Sequence, residues 1–127
     1  MRLGLPYRHP DIVKLLDVLA PPVAREMVLT ARRYGGEEAH AMGLVHRCLP
    51  DLPALGAESL RWAAELAELA PLSLRAAKTT FRELARRDGA PDLEGCDTLD
   101  HACYDSMDYR EGRAAFRDKR RPRFVGR

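Results

Sequence analysis

Apolar residues recur three and four positions apart over most of this chain, and only one short stretch departs from that rhythm. Such spacing lines side chains up along one face of a helix with 3.6 residues per turn, so a mainly helical fold is expected. Leu74, Ala77, Phe81, Leu84 and Ala85 give the plainest example. Pro71 suits a first helical position, where its missing N–H would be unpaired anyway, and Gly89 with Pro91 two residues on predicts the stop.

The same reasoning divides the remainder. Pro10 and Asp11 precede a stripe of Ile12, Leu15, Leu16 and Leu19 that stops near Pro21 and Pro22, and a second helix follows over Val23–Thr30. Gly35 and Gly36 introduce a short helix, Glu37–Met42, whose leading acids complement the positive helix N-terminus. Residues 44–49, bounded by Gly43 and Pro50, read as the one strand, which would need outside partners for its backbone groups. Residues 50–56 read as a linker interrupted by Asp51 and Pro53, followed by a helix over 57–69 with Leu60, Ala63, Ala64, Ala67 and Leu69 along one side. A helix from Leu93 to Met107 groups Leu99, Ala102, Cys103 and Met107, and Asp108 with Glu111 reads as the capping box of a last helix that ends before Pro122.

At 127 residues the chain suits one ordinary domain, able to bury roughly two-thirds of its unfolded surface. Apolar residues at 46% and charged residues at 31% mark a globular rather than a disordered composition, and a net charge of +2 selects no partner. The odd set of cysteines, Cys48, Cys96 and Cys103, has no framework spacing and suits a reducing compartment, so a cytoplasmic location is expected. No apolar run approaches the roughly 18 residues of a membrane helix, and the N-terminus lacks the plan of a signal peptide, so no membrane partner is expected. Arginines crowd residues 110–127, but without stacking aromatics beyond Phe124 they do not suggest nucleic-acid binding.

Four segments carry a resemblance, in order and with compatible gaps. Met27–Pro50, MVLTARRYGGEEAHAMGLVHRCLP, is similar to a hallmark of the enoyl-CoA hydratase/isomerase (crotonase) family, in which a helix ends in a threonine-containing turn and a second leads into Gly-Leu-Val. Ala70–Lys78, APLSLRAAK, resembles the next signature, and Ser106–Arg127 resembles the C-terminal helix and tail. The opening Arg2–Tyr7, RLGLPY, looks like the loop after the family's active-site segment. The fold implied is mainly α: the C-terminal helical region of the crotonase fold with one short strand, lacking most of the N-terminal ββα spiral core. Residues 1–50 would be the remnant of the end of that core, and residues 51–127 a C-terminal helical oligomerisation region.

The resemblance also implies chemistry. Family members bind an acyl-CoA thioester, hold its carbonyl between two backbone N–H groups, and move protons with glutamate or aspartate. Oriented donors in a dry site stabilise the enolate-like charge on the thioester oxygen, and carboxylates serve as general acid and base. By that alignment the oxyanion donors and the first hydratase glutamate belong upstream, and the second glutamate falls immediately before Met1. Catalytic residues are therefore assigned to none of the chain's positions. Asp11, the sole carboxylate of this loop, stands where some branches use an acid slightly further along, but its register matches poorly and a helix-cap role accounts for it as well.

Phe116 and Lys119 occupy positions where the family places an aromatic ring and a cation near the adenosine end of CoA. A flat ring packs on adenine and an ammonium attracts phosphate. The plain alternative is a core phenylalanine and a solvated lysine. Cys96, His101 and Cys103 invite a metal reading, but they do not share one helix face and no fourth ligand is implied; buried thiols acting as small apolar groups suffice. His40 and His46 read as exposed, and adjacent Glu37 and Glu38 point apart, too poorly placed for paired proton transfer. Two functions follow: the C-terminal portion of an acyl-CoA hydratase or isomerase, with no tightly bound cofactor, the CoA thioester as substrate, and no activity alone; or a non-catalytic helical module that assembles into a homo-oligomer.

Overall fold

The computed structural model describes residues 4–127, so Met1, Arg2 and Leu3, including the start of the RLGLPY segment, lie outside the described residues. Seven helices follow one another among the described residues: α1 (His9–Val18), α2 (Pro21–Thr30), α3 (Gly36–Ala41), α4 (Leu52–Ala67), α5 (Pro71–Leu84), α6 (Leu93–Asp105) and α7 (Met107–Arg117). The chain divides into two compact units, residues 1–55 and 56–127, with the division inside the first turns of α4.

In the first unit α1 packs on α2, and Leu19, Ala24 and Val28 are its buried apolar residues. Pro21 and Pro22 begin α2 rather than merely ending α1, because the first helical turn needs no N–H from either. α2 closes through Ala31 in the left-handed conformation at φ 48°, and the Thr30 hydroxyl accepts from the Arg32 amide. Asp11 is the third residue of α1, not its cap; the cap position is Arg8, whose guanidinium pairs with the Asp11 carboxylate at 3.3 Å.

Residues 44–49 form no strand; among the described residues there is none. The backbone donors that a strand would offer sideways are used locally. Leu44 and Val45 both donate to the Ala39 carbonyl, closing α3, while the Val45 carbonyl lies 3.2 Å from His40 Nδ1. A single short strand without a neighbour would leave these groups unpaired, and folding them onto the preceding helix end satisfies them. The expected linker is also largely helical. Asp51 accepts the Ala54 amide at 2.7 Å, capping α4 five residues earlier than the sequence suggested, with Pro53 tolerated in the first turn.

In the second unit α5 packs on α6 and α6 on α7. The buried residues are small: Ala76, Cys96 and Ala115, with Ser106 and Asp108 beside them. α5 ends at Leu84, short of Gly89, because Glu83 is drawn into the next connection. Its carboxylate binds Arg86 at 3.1 Å and accepts the Asp92 amide at 3.3 Å, tying the end of α5 to the cap of α6. α6 and α7 are separated at Ser106, whose hydroxyl donates to the Cys103 carbonyl at 2.6 Å and accepts the Tyr109 amide at 2.9 Å. One side chain thus closes one helix and opens the next.

That assignment displaces the expected capping box. Asp108 and Glu111 serve the C-terminal segment instead. After α7 the chain reverses at Lys119, φ 51°, and runs back along α7: Glu111 accepts the Arg123 amide at 2.8 Å, and Asp108 accepts the Val125 and Gly126 amides at 2.7 and 2.8 Å. The Met107 and Asp108 amides in turn donate to the main-chain oxygen of Arg127 at 2.8 and 3.3 Å.

Candidate functional site

The apolar stripe of α5 does not point into a core. Phe81 and Leu84 stand 76% and 62% exposed, and with Tyr104, Tyr109, Phe116 and Phe124 they line an open groove of about 800 Å³ within the second unit. The face of α5 that is covered is the one bearing Ala76, a narrow contact that lets α6 approach closely. Tyr104 and Tyr109 meet edge to face with ring centroids 5.5 Å apart, and the Arg113 guanidinium stands 5.7 Å from the Tyr109 ring centroid. The groove therefore presents ring faces and edges, with Asp100, Asp108 and Arg113 as charged groups in its lining. α4 behaves similarly: none of its residues is buried, and Leu60, on its apolar side, and Leu66 are exposed.

Among the described residues Phe116 is the most exposed of the large apolar side chains, at 88%, so it is not buried in a core. Lys119 follows one turn later, just past the end of α7, its amide donating to the Phe116 carbonyl at 3.3 Å. The nearby acids are engaged by arginines: Asp118 by Arg117 at 3.3 Å, and Glu111 by Arg120 at 2.7 Å. Those pairings have electrostatic consequences. Two guanidinium hydrogen bonds from Arg120, with the Arg123 amide, hold the Glu111 carboxyl down to about 2, while the Arg120 guanidinium is pushed up by the same contact.

Asp11 lies in the first unit, apart in the chain's organisation from Phe116 and Lys119, and its carboxylate is committed to Arg8. Glu38 does more than complement a helix dipole. It binds Arg32 at 2.8 Å and the Gly35 amide at 3.3 Å, which together lower its pKa, and Arg32 lies 3.8 Å from the Tyr34 ring centroid. Of the cysteines, Cys96 is buried, Cys103 half-buried and Cys48 exposed. His101 is exposed, and no three His, Cys, Asp or Glu side chains converge as metal ligands among the described residues.

Two polar residues of the second unit escaped the sequence reading: Ser106 as a double cap and Asp108 as a buried acceptor, only 3% exposed. Ser106, one residue before Met107 and three before Tyr109, had the N-cap signature available. Asp108 had no local signal, because its partners lie seventeen and eighteen positions away.

The described residues thus form a helical array with small buried side chains and open apolar faces. The model of the enoyl-CoA hydratase/isomerase family matches residues 14–127, and the chain belongs to that family. Methylmalonyl-CoA decarboxylase of Escherichia coli is 31% identical over 128 residues, covering 99% of this chain and 49% of the relative. The human enoyl-CoA hydratase domain-containing protein 2, mitochondrial, is 33% identical over 123 residues, covering 90% and 40%. The crystal structure of an enoyl-CoA hydratase/carnithine racemase from Magnetospirillum magneticum superposes with a TM-score of 0.80 at 33% identity, over 99% of this chain and 46% of that one. The chain spans about half the length of these relatives, or less.

Proposed function

We propose that this chain is the C-terminal, helical portion of a crotonase-type acyl-CoA enzyme, contributing Phe116 and Lys119 to the adenosine end of CoA and not turning substrate over by itself. The observation that carries the reading is an almost fully exposed Phe116 followed one turn later by Lys119, in a chain whose family handles CoA thioesters. Exposing a phenylalanine is costly unless a ligand or neighbour covers it, and stacking on adenine is one such cover. The relatives named above carry a decarboxylase, a hydratase and a racemase label, so the reaction class is not proposed beyond acyl-CoA chemistry.

The reading that this chain does not turn substrate over alone is supported by Asp11, the one acid the resemblance nominates, whose carboxylate is paired with Arg8 at the start of a helix. The test mixes purified chain with a short-chain 2-enoyl-CoA and follows loss of the conjugated double bond. Enzyme-like turnover would overturn this reading. Free thiols support a reducing compartment, the cytoplasm in our reading, although the human relative carries a mitochondrial label.

A second reading, the non-catalytic homo-oligomeric module, has its own support. The chain exposes 10450 Å² for 14.3 kDa. A compact monomer of that mass exposes about 6,800 Å², and two separate bodies of half the mass about 8,200 Å². The excess exceeds what a standard interface buries, about 1,600 Å². In this reading residues 1–50 are the end of the spiral core and residues 51–127 the region that associates. Sedimentation across a range of concentrations tests it: a species that stays monomeric throughout would remove it.

A further inference from the structure

The segment after α7 is bound in a way that differs from the rest of the second unit. It contributes one partly covered ring, Phe124, which lies over Gly112 and lines the end of the groove, while Gly126, at φ 75°, passes against Pro71 at the start of α5. Its polar attachments are concentrated on α7 and fall into two groups of different character. The inner group is reciprocal and runs through main-chain atoms of the tail: buried Asp108 accepts the Val125 and Gly126 amides, and the Met107 and Asp108 amides donate to the Arg127 main-chain oxygen. The outer group is ionic and half-exposed: Glu111 takes both Nη atoms of Arg120 and the Arg123 amide.

We propose that residues 120–127 form a strap, latched at two places on α7 by Asp108 and Glu111, that opens stepwise from its Arg120 end and on full opening lengthens the apolar groove at its Phe124 end. The two latches have unequal sensitivity. Surface ion pairs are screened by salt, whereas a buried carboxylate on backbone N–H groups is not. The outer latch therefore loosens first, freeing Arg120 and Arg123, and the inner latch decides whether Phe124 stays over Gly112. Nothing in this depends on which reaction the intact protein performs, so its failure would leave the acyl-CoA reading untouched.

Amide hydrogen exchange under native conditions is the test, because it reads local opening separately from global unfolding. In the unmodified chain, raising salt from about 0.1 to 1 M should speed exchange at Arg123 at least about tenfold and leave Val125 and Gly126 within about twofold. Asp108→Asn, which turns an acceptor into a group that also presents N–H, should speed Val125 and Gly126 at least about tenfold without changing the amides of α5 and α6. In that variant the fluorescence of the groove dye 1-anilinonaphthalene-8-sulfonate should rise as Phe124 leaves. Equal acceleration of α5, α6 and the tail would show that no separable strap exists and overturn the proposal, as would an Asp108→Asn tail that exchanges at the original rate. Should Asp108→Asn fail to fold, denaturant-dependent exchange of the unmodified chain decides: strap amides that open only with α5 and α6 overturn the proposal, and strap amides that open earlier support it. Faster tail exchange with an unchanged dye signal would overturn the groove-lengthening half.

Discussion

Glu111 receives both Nη atoms of Arg120 on its two carboxylate oxygens, at 2.7 and 2.8 Å, across nine positions of sequence. The planar guanidinium matches the carboxylate in this two-point geometry, and the Arg123 amide adds a third bond. The contact lowers the Glu111 pKa from an ordinary 4.5 to about 2. A carboxylate depressed on folding stabilises the fold fully above its unfolded value, and the contribution fades as pH falls toward the folded one. We therefore expect the stability difference between the unmodified chain and Glu111→Gln to be constant from neutral pH down to about 5 and to close between about 4.5 and 2. Urea midpoints measured over that range check it; a difference at pH 2 as large as at pH 7 would contradict the assignment.

Ser106→Ala removes the donor that closes α6 and the acceptor that opens α7 in one step. N-cap truncations cost about 1 kcal/mol, and the double role places this one toward roughly 2 kcal/mol. Ser106→Asp keeps an acceptor for the Tyr109 amide and loses the hydroxyl donor to Cys103, so thermal unfolding should place it between the other two.

Gly112 sits in the interior of α7 with Phe124 over it, and a Cβ there would meet the ring at 3.6 Å, an ordinary contact. Glycine in a helix interior costs roughly 0.5–1 kcal/mol against alanine. Gly112→Ala should accordingly raise the unfolding midpoint. A fall would mean that the ring approaches α7 more closely than this structure has it.

Phe81 and Leu84 hold the open side of the groove, and exposed apolar patches of this kind favour association. Phe81→Glu should shift sedimentation toward monomer while leaving helix content, read by circular dichroism, unchanged. Loss of helix content would show that Phe81 supports the fold of the single chain.

Where local rules govern, the fold was legible. α2 ends at Thr30 as the sequence predicted, and α5 begins at Pro71 because a proline at that position sets φ and lacks only an unneeded donor. The errors share a cause. Residues 44–49 have strand-like composition, but a strand is defined by its partner, and local closure onto Ala39 wins without one. The stripe of Leu74, Ala77, Phe81 and Leu84 was read correctly as one face, yet periodicity says only that a face is apolar, not what covers it. Asp108 and Glu111 matched the residue pattern of a helix start, and contacts from nine to eighteen positions away redirect them to the tail. The candidate site shows the same division. The resemblance could nominate Phe116 and Lys119, while exposure of the ring needed coordinates.

Lys119 has the left-handed backbone that lets the chain turn back along α7. A residue with a Cβ gives up about 1 kcal/mol in that conformation, and glycine is the usual solution. If Lys119 serves CoA as proposed above, the reversal and the cation make opposite demands on a single position. Lys119→Gly separates them: the fold should become slightly more stable, and any attraction for a CoA phosphate should weaken. A lysine at this point bears a backbone cost that glycine would avoid.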